Sequence, residues 1–221
     1  MKINKNLKNN RFIINIAAFL HNIFYLSFFL IAKRKNKIIT KGVFIRNTKI
    51  KIIGENNFIT LHPKNRLNNC LIYIKGNNCK IDVDKHCVIN KTEFWIEDDF
   101  SSINIGSKTT IESAHIASTE GKTISIGNEC MFSTNIQIRN GDSHSIYDKT
   151  SQLRINKANS VLIKDYVWLG SDVKVLKGTT INENSVIGSG SIVTNNVSPN
   201  SIYVGSPAKN VNKNIYWNRE R

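Results

Sequence analysis

The sequence predicts an all-β chain folded as a parallel β-helix, with a hydrophobic helix at its N-terminus and one long polar loop. Three observations lead there: an unbroken six-residue period over residues 161–197, a polar stretch at 139–160 that interrupts the repeat, and an apolar run at 12–32. A length of 221 residues suits one domain with an appendage. The expected division is a basic and hydrophobic segment 1–40, a repeat domain 41–198 with the insertion 139–160, and a C-terminal segment 199–221.

The N-terminal run reads FIINIAAFLHNIFYLSFFLIA, broken only by Asn15, His21, Asn22 and Ser27. As a single helix rising about 1.5 Å per residue it would reach across a hydrocarbon core of about 30 Å. Asn15, Ala18, Asn22 and Tyr25 fall on one side at helical spacing, which equally suits a helix lying in an interface or packed on a partner. Lys2, Lys5, Lys8 and Arg11 precede the run and Lys33, Arg34, Lys35 and Lys37 follow it, so the flanking charge sets no orientation. No small-residue cleavage site separates the run from those charges, and it does not read as a cleaved signal peptide. The expectation is a membrane-associated helix at residues 12–32 that leaves the rest of the chain in the cytoplasm, at the inner face of the cell membrane.

The repeat decides the fold class. Ile163, Leu169, Val175, Ile181, Ile187 and Val193 recur at every sixth position, and Val161, Val167, Val173, Thr179, Ser185, Ser191 and Val197 form a second series two residues earlier. Strand alternation has period two, so two inward residues per six describe a short strand and the others turn a corner. Gly170, Gly188, Asn182 and Asn184 are turn-tolerant residues at those corners. Six is not a multiple of the 3.6-residue helical turn, which excludes an α-helix. Three such units close a triangular coil, and each coil covers the next. Weaker copies upstream, at Ile53-Gly54, Ile105-Gly106 with Ile111, and Ile126-Gly127 with Phe132 and Ile138, stand in different registers, so loops are expected to interrupt the early coils. The longest interruption, 139–160, reads RNGDSHSIYDKTSQLRINKANS and contains His144. Long polar excursions from a repeat scaffold are functional or disordered, which makes this one the first place to look for chemistry.

Composition narrows the partners. A formal charge of +15 favours anionic partners, although a solvated lysine-rich surface explains it equally well. No helix-turn-helix, zinc-finger or RNP-like pattern is present, so nucleic acid is not an expected partner. Cys70, Cys79, Cys87 and Cys130 show neither C-x-x-C spacing nor the density of a secreted disulfide framework. Cys79, Cys87 and Cys130 lie in alternating apolar segments and read as small core residues, not nucleophiles. His62, His86, His115 and His144 are scattered without short paired spacing, and no metal site is expected.

Four segments in order, Met131-Phe132-Ser133-Thr134-Asn135, the His144 loop, Val167-Trp168-Leu169-Gly170 and Val204-Gly205-Ser206-Pro207-Ala208-Lys209, together resemble the hexapeptide-repeat acyltransferases. The similarity is to the branch of galactoside, maltose and xenobiotic acetyltransferases and bacterial surface-polysaccharide O-acetyltransferases, and it covers roughly residues 43–210. It implies a left-handed coil, which runs against the general right-handedness of parallel crossovers. It also implies a homotrimer with an active site between subunits and acetyl-coenzyme A as acetyl donor.

Site residues follow from the same resemblance. His144 matches the family's loop histidine, a general base toward the acceptor hydroxyl; imidazole takes a proton near neutral pH and returns it to the departing thiolate, with no acyl-enzyme. Ser143 stands where the family often has Asn or Gly, a departure on the acceptor side of the histidine. Asp142 either orients the imidazole, contacts the acceptor or closes an Asx-turn. Asn135 aligns with an acceptor-binding asparagine, and a coil-corner role is the competing reading. Trp168 matches an aromatic bordering the coenzyme; core packing competes, but indole is bulky for a narrow coil. Lys209 resembles the lysine near the coenzyme phosphates, within the C-terminal segment expected to bind coenzyme, with Ser206 replacing the usual Asn. Gly170, Ser171, Gly188 and Ser189 lie on successive coils where the pantetheine arm meets backbone, or are simply corner residues.

The resulting expectation is acetyl transfer to a hydroxyl of a bacterial surface saccharide, capsule, lipopolysaccharide or a precursor. An amino-sugar N-acetyltransferase and a noncatalytic membrane-associated scaffold are the alternatives.

Overall fold

The computed structural model describes residues 10–24, 28–31 and 35–220, with backbone alone at 24 and 28–31. Its body is a parallel β-helix with three faces, sheets of eight, seven and nine strands in which successive members come from successive coils. Among the described residues the inter-coil ladders are parallel, an antiparallel hairpin joins Ser201–Val204 to Lys209–Lys213 at the C-terminal end, and a single antiparallel bridge links Tyr147 to Arg154.

The six-residue reading of residues 161–197 holds at every position. Both inward series are buried, from Ile163 and Leu169 through Val193 and from Val161 through Ser191 to Val197. Lys174 pairs with Ile192 and Leu162 with Thr180, so each of these coils is made of three hexads.

Upstream the structure differs from the expectation of hexads broken by loops. Leu71 pairs with Glu93 and Glu93 with His115, a regular but longer repeat. Side-chain bonds between neighbouring coils, such as Asn68 to Asn90, span the same 22 residues. The first face carries the extra length, in the strands Thr48–Ile53, Leu71–Lys75, Thr92–Glu97 and Ala114–Ser118. A wide coil sends eight residues inward (Thr92, Phe94, Ile96, Ser101, Ile103, Ile105, Thr109 and Ile111), whereas the narrow coil at 173–190 sends six. The wide coils therefore have room for Phe94 and Phe132, the two largest fully buried side chains.

Asparagine and cysteine tie wide coils together at the corners. Buried Asn57 accepts from the Cys79 amide at 2.8 Å and donates to the Gly76 carbonyl at 2.9 Å; Asn65 repeats the pattern with Cys87 and Val83. All four cysteines are buried and free, as expected of Cys79, Cys87 and Cys130, and Cys70 joins them. Burial pushes the thiols of Cys70, Cys79 and Cys87 up to about 11 and that of Cys130 to about 12.

The single helix expected at residues 12–32 is corrected. The helix is Arg11–Phe24, and Phe28–Ile31 is a strand paired in parallel with Thr48–Ile53. An open sheet edge presents a row of unpaired backbone groups, and this strand satisfies them where a longer helix would not. Among the described residues no helix is long and apolar enough to cross a membrane. The helix packs its polar side on the first coil: Asn22 donates to the Val43 carbonyl at 3.0 Å and accepts from the Ile45 amide at 2.8 Å, and Ala18 is buried. Its apolar side, with Phe12, Ile16, Phe19, Leu20 and Ile23, faces outward. Tyr25, expected on the packed side, lies outside the described residues.

Candidate active site

The insertion leaves the first face after Arg139 and returns at Val161. It has no regular strand, yet it is anchored at several points. Buried Asn140 donates to Ser118 Oγ and accepts from the Thr119 amide, fixing the point of departure. Arg154 reaches back to Glu120 at 2.5 Å, and Lys177 of a narrow coil pairs with Asp142 and donates to the Asn156 carbonyl at 3.2 Å. Buried Asn156 is the hub: its Nδ2 donates to Asp142 Oδ2 and to the His144 carbonyl, and its Oδ1 accepts from the Ile146 amide.

These contacts hold the backbone of His144 on both sides, since its amide also donates to the Asp142 carbonyl at 2.8 Å, while its side chain is exposed. A base needs an accessible ring on a fixed backbone, and the loop provides both. The Asp142 carboxylate turns to Lys177 and Asn156 instead of the imidazole, and the Lys177 ammonium beside it holds its pKa below the ordinary carboxylate value. Arg154 depresses Glu120 in the same way.

Asn135 sits at a coil corner with a left-handed φ of 58°, and its Nδ2 donates to Asp172 Oδ1 on the next coil at 2.6 Å. Trp168 lies on the outer face of its strand while Leu169 points inward, so core packing is excluded for the indole. Gly170 and Gly188 are set by coil stacking. A Cβ at Gly170 would stand 2.7 Å from the Ser189 amide, and one at Gly188 2.6 Å from Val204 Cγ1. Their own amides donate to the carbonyls of Ile187 and Tyr203, which makes them corner residues of the ladder. Ser171 Oγ bonds Ser133 Oγ at 2.8 Å, and Ser189 is exposed on the coil after it. Lys209 is exposed where the last hairpin turns back.

Two contacts of the C-terminal tail escaped the sequence reading. The tail folds back so that Trp217 lies 5.9 Å from Trp168, ring to ring, and donates to the Tyr166 carbonyl. Arg219 donates to Thr110 Oγ1 and to the carbonyls of Glu129 and Cys130. Nothing local in the tail signals these contacts, which span 51 to 109 residues of chain. Among the described residues no three His, Cys, Asp or Glu side chains cluster as metal ligands.

A triangular parallel coil with a histidine-bearing loop at its boundary defines a class. The family described as bacterial transferase hexapeptide (six repeats) matches residues 160–195. The crystal structure of the polysialic acid O-acetyltransferase OatWY superposes with a TM-score of 0.77 at 31% identity, over 88% of each chain. That of the polysialic-acid-specific acetyltransferase NeuO gives 0.76 at 28%, over 88% of this chain and 85% of that one. This chain belongs to the hexapeptide-repeat acyltransferases, and its coil is the left-handed β-helix of that family.

Among curated relatives, polysialic acid O-acetyltransferases of Escherichia coli O1:K1 and Neisseria meningitidis are 34% and 35% identical, over 54% and 59% of this chain. The matches cover 39% and 60% of their lengths, so the chain spans about half the length of the curated relatives it matches.

Proposed function

We propose that the protein transfers an acetyl group from acetyl-coenzyme A to a hydroxyl of an acidic capsular saccharide of the polysialic type. The observation that carries this reading is the likeness, along nearly the whole coil, to two acetyltransferases named for polysialic acid. The anchored loop that exposes His144 supplies the base.

In this mechanism the imidazole of His144 takes the proton of the acceptor hydroxyl as its oxygen attacks the thioester carbonyl. The C–O bond forms, the C–S bond breaks, and the proton passes to the leaving thiolate; no covalent intermediate on the protein is needed. Trp168 borders the coenzyme from the outside of the coil, Gly170, Ser171, Gly188 and Ser189 line its arm along the stacked corners, and Lys209 meets its phosphates as a point charge. Asn135 and Asp142 lie toward the acceptor, and Asn135 keeps its amide oxygen for a sugar hydroxyl. The assembly is a homotrimer with the site between subunits.

The N-terminal helix places the enzyme at the inner face of the cell membrane. Its exposed row of Phe12, Phe19, Leu20 and Ile23 is flanked by basic residues, the pattern of a helix lying on an anionic bilayer. Co-sedimentation with vesicles containing phosphatidylserine, lost in Phe19→Glu with Leu20→Glu, tests this; binding unchanged by the pair removes the helix from membrane placement.

The central test is incubation of the purified chain with acetyl-coenzyme A and polysialic acid, followed by mass spectrometry. An acetyl group removed by mild alkali is the expected ester. An alkali-stable product establishes the amine acceptor instead, and no acetyl transfer to any surface glycan leaves the scaffold reading.

A further inference from the structure

The first face of the wide coils carries a feature that acetyl transfer at His144 does not use. Strand pairing sets Lys51, Tyr73, Trp95, Ala117 and Arg139 side by side in one outward row. The rings of Tyr73 and Trp95 lie 4.2 Å apart, tilted by 33°, and Lys51 Nζ stands 5.6 Å from the centre of the Tyr73 ring. On the other edge of Trp95, His115 stacks at 6.2 Å and 28°. At the step where the row has only Ala117, a cavity of about 240 Å³ opens, with Trp95, His115, Arg139 and Ser143 in its lining and one carboxylate, Glu97. Coils are spaced by about 4.8 Å, so the row runs about 19 Å from Lys51 to Arg139 and ends at the loop that carries His144.

A cross-strand aromatic pair that merely steadies the sheet would account for Tyr73 and Trp95. It does not account for the cavity, or for basic groups at both ends. On this face Lys49, Lys51, Lys75 and Arg139 outnumber the carboxylates Glu93 and Glu97, the excess of cations lying toward the Lys51 end while Glu97 and Arg139 share the cavity. His115 adds a buried Nδ1 without a partner beside the cavity. Flat aromatic faces stack on the C–H faces of sugar rings, and Lys and Arg pair with carboxylates.

We propose that this row is an extended track for an anionic polysaccharide, holding the chain several sugars away from the hydroxyl that reacts. This rests on the reading that the acceptor is an acidic saccharide. Contacts strung along one polymer act together, so the track raises affinity with chain length.

Two measurements on the full chain test it: binding of polysialic acid, with neutral dextran as control, and KM for sialic acid acceptors of increasing length with acetyl-coenzyme A. We expect Tyr73→Ala with Lys51→Glu to weaken polysialic acid binding at least tenfold and to shrink the KM advantage of long acceptors over a trimer by a similar factor. Tyr73→Phe restores most of both, and Lys51→Glu alone serves if the alanine variant does not fold. Affinity and length dependence unchanged by these substitutions overturn the track, as does equal binding of dextran or no glycan binding at all. Binding that depends on Tyr73 without acetyl transfer upholds the track and overturns the enzymatic reading. Acetyl transfer indifferent to acceptor length does the reverse.

Discussion

The wide and narrow coils solve the same problem with different widths. In the narrow half each face carries two inward residues, strands are two or three residues long, and small hydroxyl side chains turn the corners, as where Ser185 Oγ donates to the Asn182 carbonyl. In the wide half a first-face strand of five or six residues holds up to three inward and three outward positions, and buried asparagines bridge the coils. Width changes what the surface can do. On the first face the narrow strands present a single outward residue, Lys174 or Ile192, whereas the wide strands build a broad platform that runs up to the His144 loop. The loop arises where one width gives way to the other, and Lys177 of the narrow half helps to hold it.

Substitution at that boundary should change the protein most. His144→Ala should lower the rate of acetyl transfer by roughly 10² to 10⁴, or about 3 to 5 kcal/mol of barrier, in steady-state kinetics with polysialic acid; an equal rate removes the histidine from the mechanism. Next comes the interior of the wide half, where Phe94→Ala should cost about 3 to 5 kcal/mol by denaturant unfolding. In the narrow half the sign of the volume change reverses. Val175→Phe should cost about 1 to 3 kcal/mol by overpacking, and a neutral outcome would break the width argument.

A smaller effect concerns the loop anchors. Asp142 and Glu120 have folded pKa values held below 3.8 and 4.5, the ordinary values, by Lys177 and Arg154. A depressed carboxylate stabilises fully above its unfolded pKa and stops doing so as pH falls through the folded one. Hydrogen exchange in residues 142–156 should therefore stay slow from pH 7 to pH 5 and rise only below about pH 4. Loss of protection already between pH 7 and pH 5 would show that other groups hold the loop. Smallest of all, iodoacetamide at pH 8 should leave the folded protein unmodified, because burial in the wide half pushes its thiols up to about 11 for Cys70, Cys79 and Cys87 and about 12 for Cys130.

Legibility followed the same division. The narrow half was readable because its period survives in both inward series, and burial there tolerates only small or aliphatic residues. The longer period of the wide half was not, since its inward positions alternate among Ile, Cys, Thr, Ser and Phe and no short unit recurs. Phe28–Ile31 read as helix because a short apolar run looks alike in a buried helix and a strand; its pairing partner, Thr48–Ile53, belongs to the next coil. Of the site, the histidine loop was visible as a polar break in the repeat. The Asn156 hub, the Arg154 and Lys177 anchors and the Trp217 strap were not, because each depends on contacts between distant parts of the chain.

Amino-acid order alone settles that residues 161–197 coil, that Cys79, Cys87 and Cys130 are buried, and where the loop leaves the scaffold. Those properties depend on side-chain alternation and local turn chemistry, which neighbouring residues settle among themselves. The width of the early coils, the turning of the helix's polar side onto the first coil, and the row from Lys51 to Arg139 belong to the tertiary structure. Successive members of that row lie one full coil apart in the chain, and only strand pairing along the stack brings them side by side.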